Sequence, residues 1–200
     1  MTPTSGPSVP SRFTLVLPAW VGPWLASQPA TFPTVPAQVD LVIGLAGEQV
    51  EQGTGGPFAA AVFARSSGRL LAAGLNLVVP ASACIAHAEM VALALAGQGS
   101  GSFDLGAPGP VALVASTEPC AMCLGAIPWS GVSQLVCSAG DEDARAIGFD
   151  EGHKPPDWAE DLAARGIEVV RGVARQAGRE VLSRYAAVGG HVYNSAATRG

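Results

Sequence analysis

The sequence has little of what would tie it to a membrane or to nucleic acid. Charged residues make up 14% of the chain and nowhere form a run of lysine or arginine. With a formal charge of −5, this argues against a long phosphate backbone as partner, because such binding needs clustered cations. A small or neutral substrate is the expectation, with no nucleic acid and no membrane. The apolar piece Phe13-Thr14-Leu15-Val16-Leu17 stops at Pro18, far short of the ~20 residues of a membrane span. One Arg12 and no small-residue cleavage context make it a poor match to a signal peptide. There is no internal repeat. The four cysteines do not suggest a disulfide framework, since Cys84 and Cys137 read as reduced core positions, and the cytoplasm is the expected compartment.

What is present is a chain of 200 residues, 48% of them hydrophobic, enough for one domain with a sizeable core. Half of its 16 prolines fall in residues 1–37, which read as an extended N-terminal arm ahead of a domain at 38–200. Trp20 and Trp24 are expected to lie against the domain or a neighbouring subunit. A helical stripe of Val39, Val42, Ile43, Ala46 and Val50 is followed by the turn Thr54-Gly55-Gly56-Pro57. Residues 58–64 and 69–79, separated by Ser66-Ser67-Gly68, predict a β-hairpin of apolar strands. Then come a helix over 86–96 closed by Gly97, a Gly/Ser-rich loop to Pro110, and strands at 111–115, 135–137 and 167–170. Helices at 158–164 and 175–188 complete an α/β alternation.

The chemistry concentrates in Ala86-His87-Ala88-Glu89 and, about thirty residues on, Glu118-Pro119-Cys120-Ala121-Met122-Cys123. His87, Cys120 and Cys123 supply one nitrogen and two sulfurs, a donor set that favours four-coordinate Zn²⁺ with its last position left for water. Cys-x-x-Cys at a helix start places both sulfurs on one face, one turn apart. Zinc lowers the pKa of its water from ~15.7 to ~7, and Glu89 stands where a proton shuttle is needed. A blander reading closes a structural four-ligand site through Cys84-x-x-His87, but leaves Glu89 and Pro119 without a role. The same residues could also form a redox Cys-x-x-Cys pair, or pack in the core without metal. Asn76, an amide in an apolar strand, reads equally well as a side chain that merely satisfies turn backbone. The acidic stretch 146–153 and the tail 189–194 read on their own as a surface loop and a frayed terminus.

From about Val39 to Asn194 the chain resembles the cytidine deaminase superfamily, and within it the small zinc-dependent bacterial guanine deaminases. The likeness rests on Gly56-Pro57-Phe58-Ala59-Ala60, Asn76, His87-Ala88-Glu89, residues 118–127, Trp129, Gly148-Phe149-Asp150-Glu151 and Tyr193-Asn194. It implies a three-layer α/β/α sandwich around a mixed five-stranded sheet. It further implies zinc on His87, Cys120 and Cys123, and proton transfer by Glu89. Asn76 would hydrogen-bond the purine, Phe58, Trp129 and Phe149 would shape or stack on the base, and Ala88 would also face it. Glu151 would help to protonate the leaving amine or contact the ring, and Tyr193 would reach the neighbouring active site of a homodimer with exchanged C-terminal tails. The reaction implied is attack of zinc-bound hydroxide on C2 of guanine, giving xanthine and ammonia. Rival substrates are an s-triazine such as ammeline, cytosine or cytidine; tRNA adenosine and a non-catalytic zinc module are more distant rivals.

Overall fold

The computed structural model describes residues 10–194, so the outermost residues of the expected arm and domain, 1–9 and 195–200, lie outside the described residues. Five strands form one mixed sheet: β1 (Ala59–Ala64), β2 (Leu70–Leu75), β3 (Val111–Thr117), β4 (Gln134–Ala139) and β5 (Glu168–Val170). Their order is β2-β1-β3-β4-β5, with β1 antiparallel to both neighbours and β3, β4 and β5 mutually parallel. Strands apolar on both faces must be covered on both. Among the described residues the helices are α1 (Val21–Ala26), α2 (Val35–Gln52), α3 (Ala88–Ser100), α4 (Ala121–Ala126), α5 (Asp141–Ala146), α6 (Trp158–Ala164) and α7 (Arg175–Ala187), and α2 and α7 cover one face while α3 and α6 cover the other.

Alternation along the strands separates two cores. Phe63, Val114 and Val136 face α2 and α7, where Val39, Val42, Leu45 and Val181 are buried. Val62, Leu113 and Leu135 face the other way, onto Ala92 and Ala96 of α3 and Trp158 and Leu162 of α6. The expected three-layer α/β/α sandwich is therefore the observed architecture.

Helix α2 starts where Thr34, in extended backbone, accepts a hydrogen bond from the Ala37 N–H at 3.3 Å, with Pro36 in the first turn. It ends at Gly53, whose φ of 61° is the left-handed stop. Helix α3 runs past Gly97, expected as its end, to a left-handed Gly101 at φ 68°. Glycine inside a helix costs only about 1 kcal/mol, and buried Ala96 holds the turn in place. Gly74 of β2 admits α3 unusually close: a Cβ there would stand 2.2 Å from the Ala88 carbonyl oxygen. This approach seats the start of α3 against the sheet.

Residues 10–37 are less extended than their prolines suggest. Pro18 precedes α1 and Pro23 sits in its first turn, where a missing N–H costs little. Phe32 is buried, edge-on to Phe63 with ring centroids 5.7 Å apart, and its N–H donates to the Gly68 carbonyl at 2.8 Å. Trp24 packs on the same core, and Trp20 Nε1 donates to Thr54 Oγ1 at 3.1 Å. Nothing in the sequence announces helix α5, since six residues carry too little periodicity to register. Asp143 secures its start by accepting the Gly140 N–H at 2.8 Å.

Candidate active site

The parallel strands β3 and β4 carry the site at their carboxyl ends, where α/β sheets present ligands. Strand β3 leads through Glu118 and Pro119 into α4, whose first flanking residue is Cys120. His87 holds the equivalent position before α3, and Glu89 lies in that helix's first turn. Both helix starts thus converge, and the ligating atoms of His87, Cys120 and Cys123 lie within 4.8 Å of one another. Cys120 Sγ stands 3.5 Å from His87 Nδ1.

This donor set fits zinc. A soft pair of sulfurs and one imidazole nitrogen, already gathered by backbone, match a three-ligand site with an open position. The hydrogen bond with Cys123, helped by His87, lowers the Cys120 thiol to about 4, while Cys123 is pushed up by Cys120 and by burial. Zinc binding would require both thiols as thiolates, so loading the site releases protons. Burial acts to lower the His87 pKa, but the hydrogen bond and charge of Cys120, with Glu89 and Glu151, raise it overall. Cys84 does not join the cluster. It is exposed, contrary to the expected core position, so the four-ligand reading has no fourth ligand among the described residues.

Facing the cluster is a cavity of about 30 Å³, room for a water or two. Glu89 and Glu151 line it together with Asn76, Phe58, Phe149 and Tyr193. Both carboxyl groups are buried. Burial, reinforced by the Cys120 charge, raises Glu89, and burial with Cys120 and Glu89 pushes Glu151 up to about 8. Two carboxyl groups whose hold on a proton is strengthened by burial, beside three metal donors, are equipped for proton transfer.

Asn76 satisfies nearby backbone, as one reading of its sequence position expects, and it also lines the cavity. Its Oδ1 accepts the Val78 N–H at 3.3 Å, and its Nδ2 donates to the Tyr193 hydroxyl at 2.5 Å. Phe149 meets Phe58 edge-on at 4.9 Å and Tyr193 at 5.0 Å, forming an aromatic wall. Tyr193 enters the pocket of its own chain. Two expected site residues lie elsewhere. Trp129 is 79% exposed on a separate groove beside Leu93 and Phe103, because Ile127 takes the buried side of the tight turn Ile127–Trp129. Ala88 is buried between α3 and β2 and forms no part of the cavity wall.

Other supports carried no motif. Gln49 Nε2 donates to the carbonyls of Gly56 and Asn76, both at 2.8 Å, fixing the strand end that bears Asn76. Arg171 Nε donates to buried Glu118 at 2.6 Å, which secures the end of β3 at the edge of the cavity that Glu118 also lines. Lys154 Nζ donates to the Pro119 carbonyl at 3.0 Å. Its signal in the sequence is that it is the only lysine.

The model of the cytidine and deoxycytidylate deaminase zinc-binding region matches residues 39–139, half of the chain, and spans all three donors and Glu89. The chain belongs to this deaminase family. Guanine deaminase of Bacillus subtilis (strain 168) is 38% identical over 109 residues, 54% of this chain and 67% of that protein. Guanine deaminase from Nitrosomonas europaea superposes with a TM-score of 0.84 at 42% identity, covering 90% of this chain and 100% of that one. A further solved structure, in complex with 2,6-diaminopurine, gives 0.83 at 44% identity, covering 90% and 96%. Family membership makes the three-donor cluster a zinc site of a deaminase.

Proposed function

We propose that this protein is a zinc-dependent guanine deaminase, hydrolysing guanine to xanthine and ammonia. The observation that carries the reading is the placement of two buried carboxyl groups, Glu89 and Glu151, on one small cavity with the His87, Cys120 and Cys123 donors. The preference for guanine is supported by the similarity to proteins named guanine deaminase.

When bound by these donors, zinc supplies water acidic enough to lose a proton near neutrality. Glu89 takes that proton and delivers it to a ring nitrogen as water adds at C2. Glu151, pushed up to about 8, protonates the amino group. As ammonia leaves, the new C2 hydroxyl gives its proton back to the Glu151 carboxylate and becomes the carbonyl of xanthine. Asn76 positions the base by its amide, while Phe58 and Phe149 offer apolar faces and exclude bulk water.

Ammonia release from the zinc-loaded protein, measured on guanine, ammeline, adenine, cytosine, cytidine and guanosine with Glu89→Ala as blank, tests the proposal. Preferential turnover of guanine is the expected result. Turnover of another ring with silence on guanine keeps the metal and Glu89 but moves the substrate.

Residues 38–200 carry the activity in this proposal, and residues 1–37 form an extension whose stretch from Leu15 to Phe32 packs on it. We also propose a homodimer with exchanged tails. Gly189, at φ 71°, turns the chain out of α7, and from that turn Tyr193 can serve either its own pocket or, by exchange of the tail, a neighbour's. Sedimentation, with recovery of activity on mixing Glu89→Ala and Tyr193→Ala chains, checks this. Four free cysteines are in keeping with a reducing cytoplasm.

A further inference from the structure

The segment bearing Glu151 has no regular secondary structure, yet its carboxyl group is buried at the reaction cavity. Something outside the backbone ladder must hold it. The chain's single lysine lies three residues on, with only 8% of its side chain exposed. Lys154 Nζ donates to the carbonyl of Pro119, the residue before the ligand Cys120, at 3.0 Å, and pairs with Asp141 at 2.5 Å. Arg145 grips the same Asp141 at 2.5 Å and donates to the Gly152 carbonyl at 2.6 Å. On the other side of Cys120, the Ala121 N–H donates to the Glu151 carbonyl at 2.9 Å. The two chain segments are therefore fastened at both ends, with Asp141 at the start of α5 as the shared anion.

We propose that Lys154 is a positioning residue that locks the Glu151 segment to the Pro119-Cys120 turn. The buried ammonium satisfies a carbonyl at the metal-ligand turn and a carboxylate on α5 at once, so the segment cannot swing away without stranding a buried charge. No other lysine is available for this role, and the exposed Arg145, which holds the Gly152 carbonyl and pairs with Asp150 at 4.0 Å, does not reach the Pro119 carbonyl in place of Lys154. Since catalytic placement tolerates well under 1 Å of drift, loosening this lock is felt in turnover before it is felt in binding.

The inference rests on Glu151 acting in the proposed reaction, and a double-mutant cycle separates the two. In the zinc-loaded enzyme, Lys154→Met is expected to lower kcat by about 10- to 100-fold with KM within about twofold. Zinc stays stoichiometric by atomic absorption, amide exchange rises at residues 150–154, and Lys154→Arg recovers most of the loss. In a Glu151→Gln background, Lys154→Met adds little. Losses that multiply in full, zinc lost in parallel, or an unchanged kcat overturn the role of Lys154. Wild-type turnover by Glu151→Gln alone overturns the Glu151 reading and this inference with it. If Lys154→Met does not fold, Lys154→Gln is carried through the same cycle.

Discussion

The metal side of the cavity and the side facing it are built differently. His87 and Cys120 flank helix starts and Cys123 lies inside α4, so regular backbone places all three donors. Opposite them, Asn76 follows a strand end, Phe149 and Glu151 sit on an irregular segment, and Tyr193 lies on the tail, all beyond the ladders of helix and sheet. The first side is held by backbone hydrogen bonds. The second is held by side chains: Gln49 behind Asn76, Asn76 against Tyr193, and Lys154 and Arg145 around Glu151. One side is set by the fold and the other is adjustable only by exchanging the side chains that lock it, which suits an enzyme whose metal chemistry is fixed while its pocket selects the ring.

Breaking the metal side is expected to have the largest effect. Cys123→Ser removes a completely buried sulfur from a cluster with no substitute ligand among the described residues. Zinc content by atomic absorption and turnover should both fall to background. Turnover with retained zinc would show that the three donors are not the site. Next comes Glu89→Gln, which keeps shape and removes the acid. Zinc should stay stoichiometric while kcat drops ~10²–10⁴-fold, the range of an acid/base group.

The contrast also explains what the sequence could convey. Helix starts with ligands at fixed spacing are local, so His87, Glu89, Cys120 and Cys123 are readable as chemistry without any fold. Strands such as 111–115 are readable because apolar runs demand burial on both faces. Phe149, Glu151 and Tyr193 depend on contacts between residues far apart in the chain, and only a resemblance marks them. Lys154 and Gln49 act through distant backbone carbonyls, a pairing that no spacing rule encodes. Helix α5 is too short for periodicity, and Gly97 cannot announce that its helix continues to Gly101.

On the adjustable side, Asn76→Ala removes the partner of the half-buried Val78 N–H and Tyr193 hydroxyl. A cost of about 1–3 kcal/mol is expected. It should be read chiefly as a KM raised by about 10-fold or more, with zinc unchanged. An unchanged KM would remove Asn76 from substrate recognition.

Away from both sides, Asp143 joins α5 to α7 by accepting from Arg175 at 2.8 Å and pairing with Arg179 at 3.1 Å. The Arg175 hydrogen bond holds its carboxyl below the ordinary range, against the opposing pull of burial. The folded state thus binds this proton more weakly than the unfolded chain. The stability it contributes is complete above the unfolded pKa of about 3.9, and is lost as pH falls through the lower folded value. The melting-temperature gap between wild type and Asp143→Asn should therefore narrow below about pH 4. A constant gap would show that the carboxylate's charge is not what matters.

The smallest effect on catalysis is expected at Trp129, and it sharpens the comparison most economically. Resemblance puts this indole at the base, whereas the fold turns it outward, 79% exposed, on a groove bordered by Leu93 and Phe103. An aromatic outside the cavity cannot stack on a ring inside it, so Trp129→Ser should leave kcat and KM for guanine within about twofold. Surface substitutions of this kind also shift stability by only about 0.5 kcal/mol. A KM raised tenfold with zinc intact would mean that the indole reaches a base after all. Within one chain it has no route there, so that result would assign it to the pocket of a second copy and make the adjustable side an assembly of two chains.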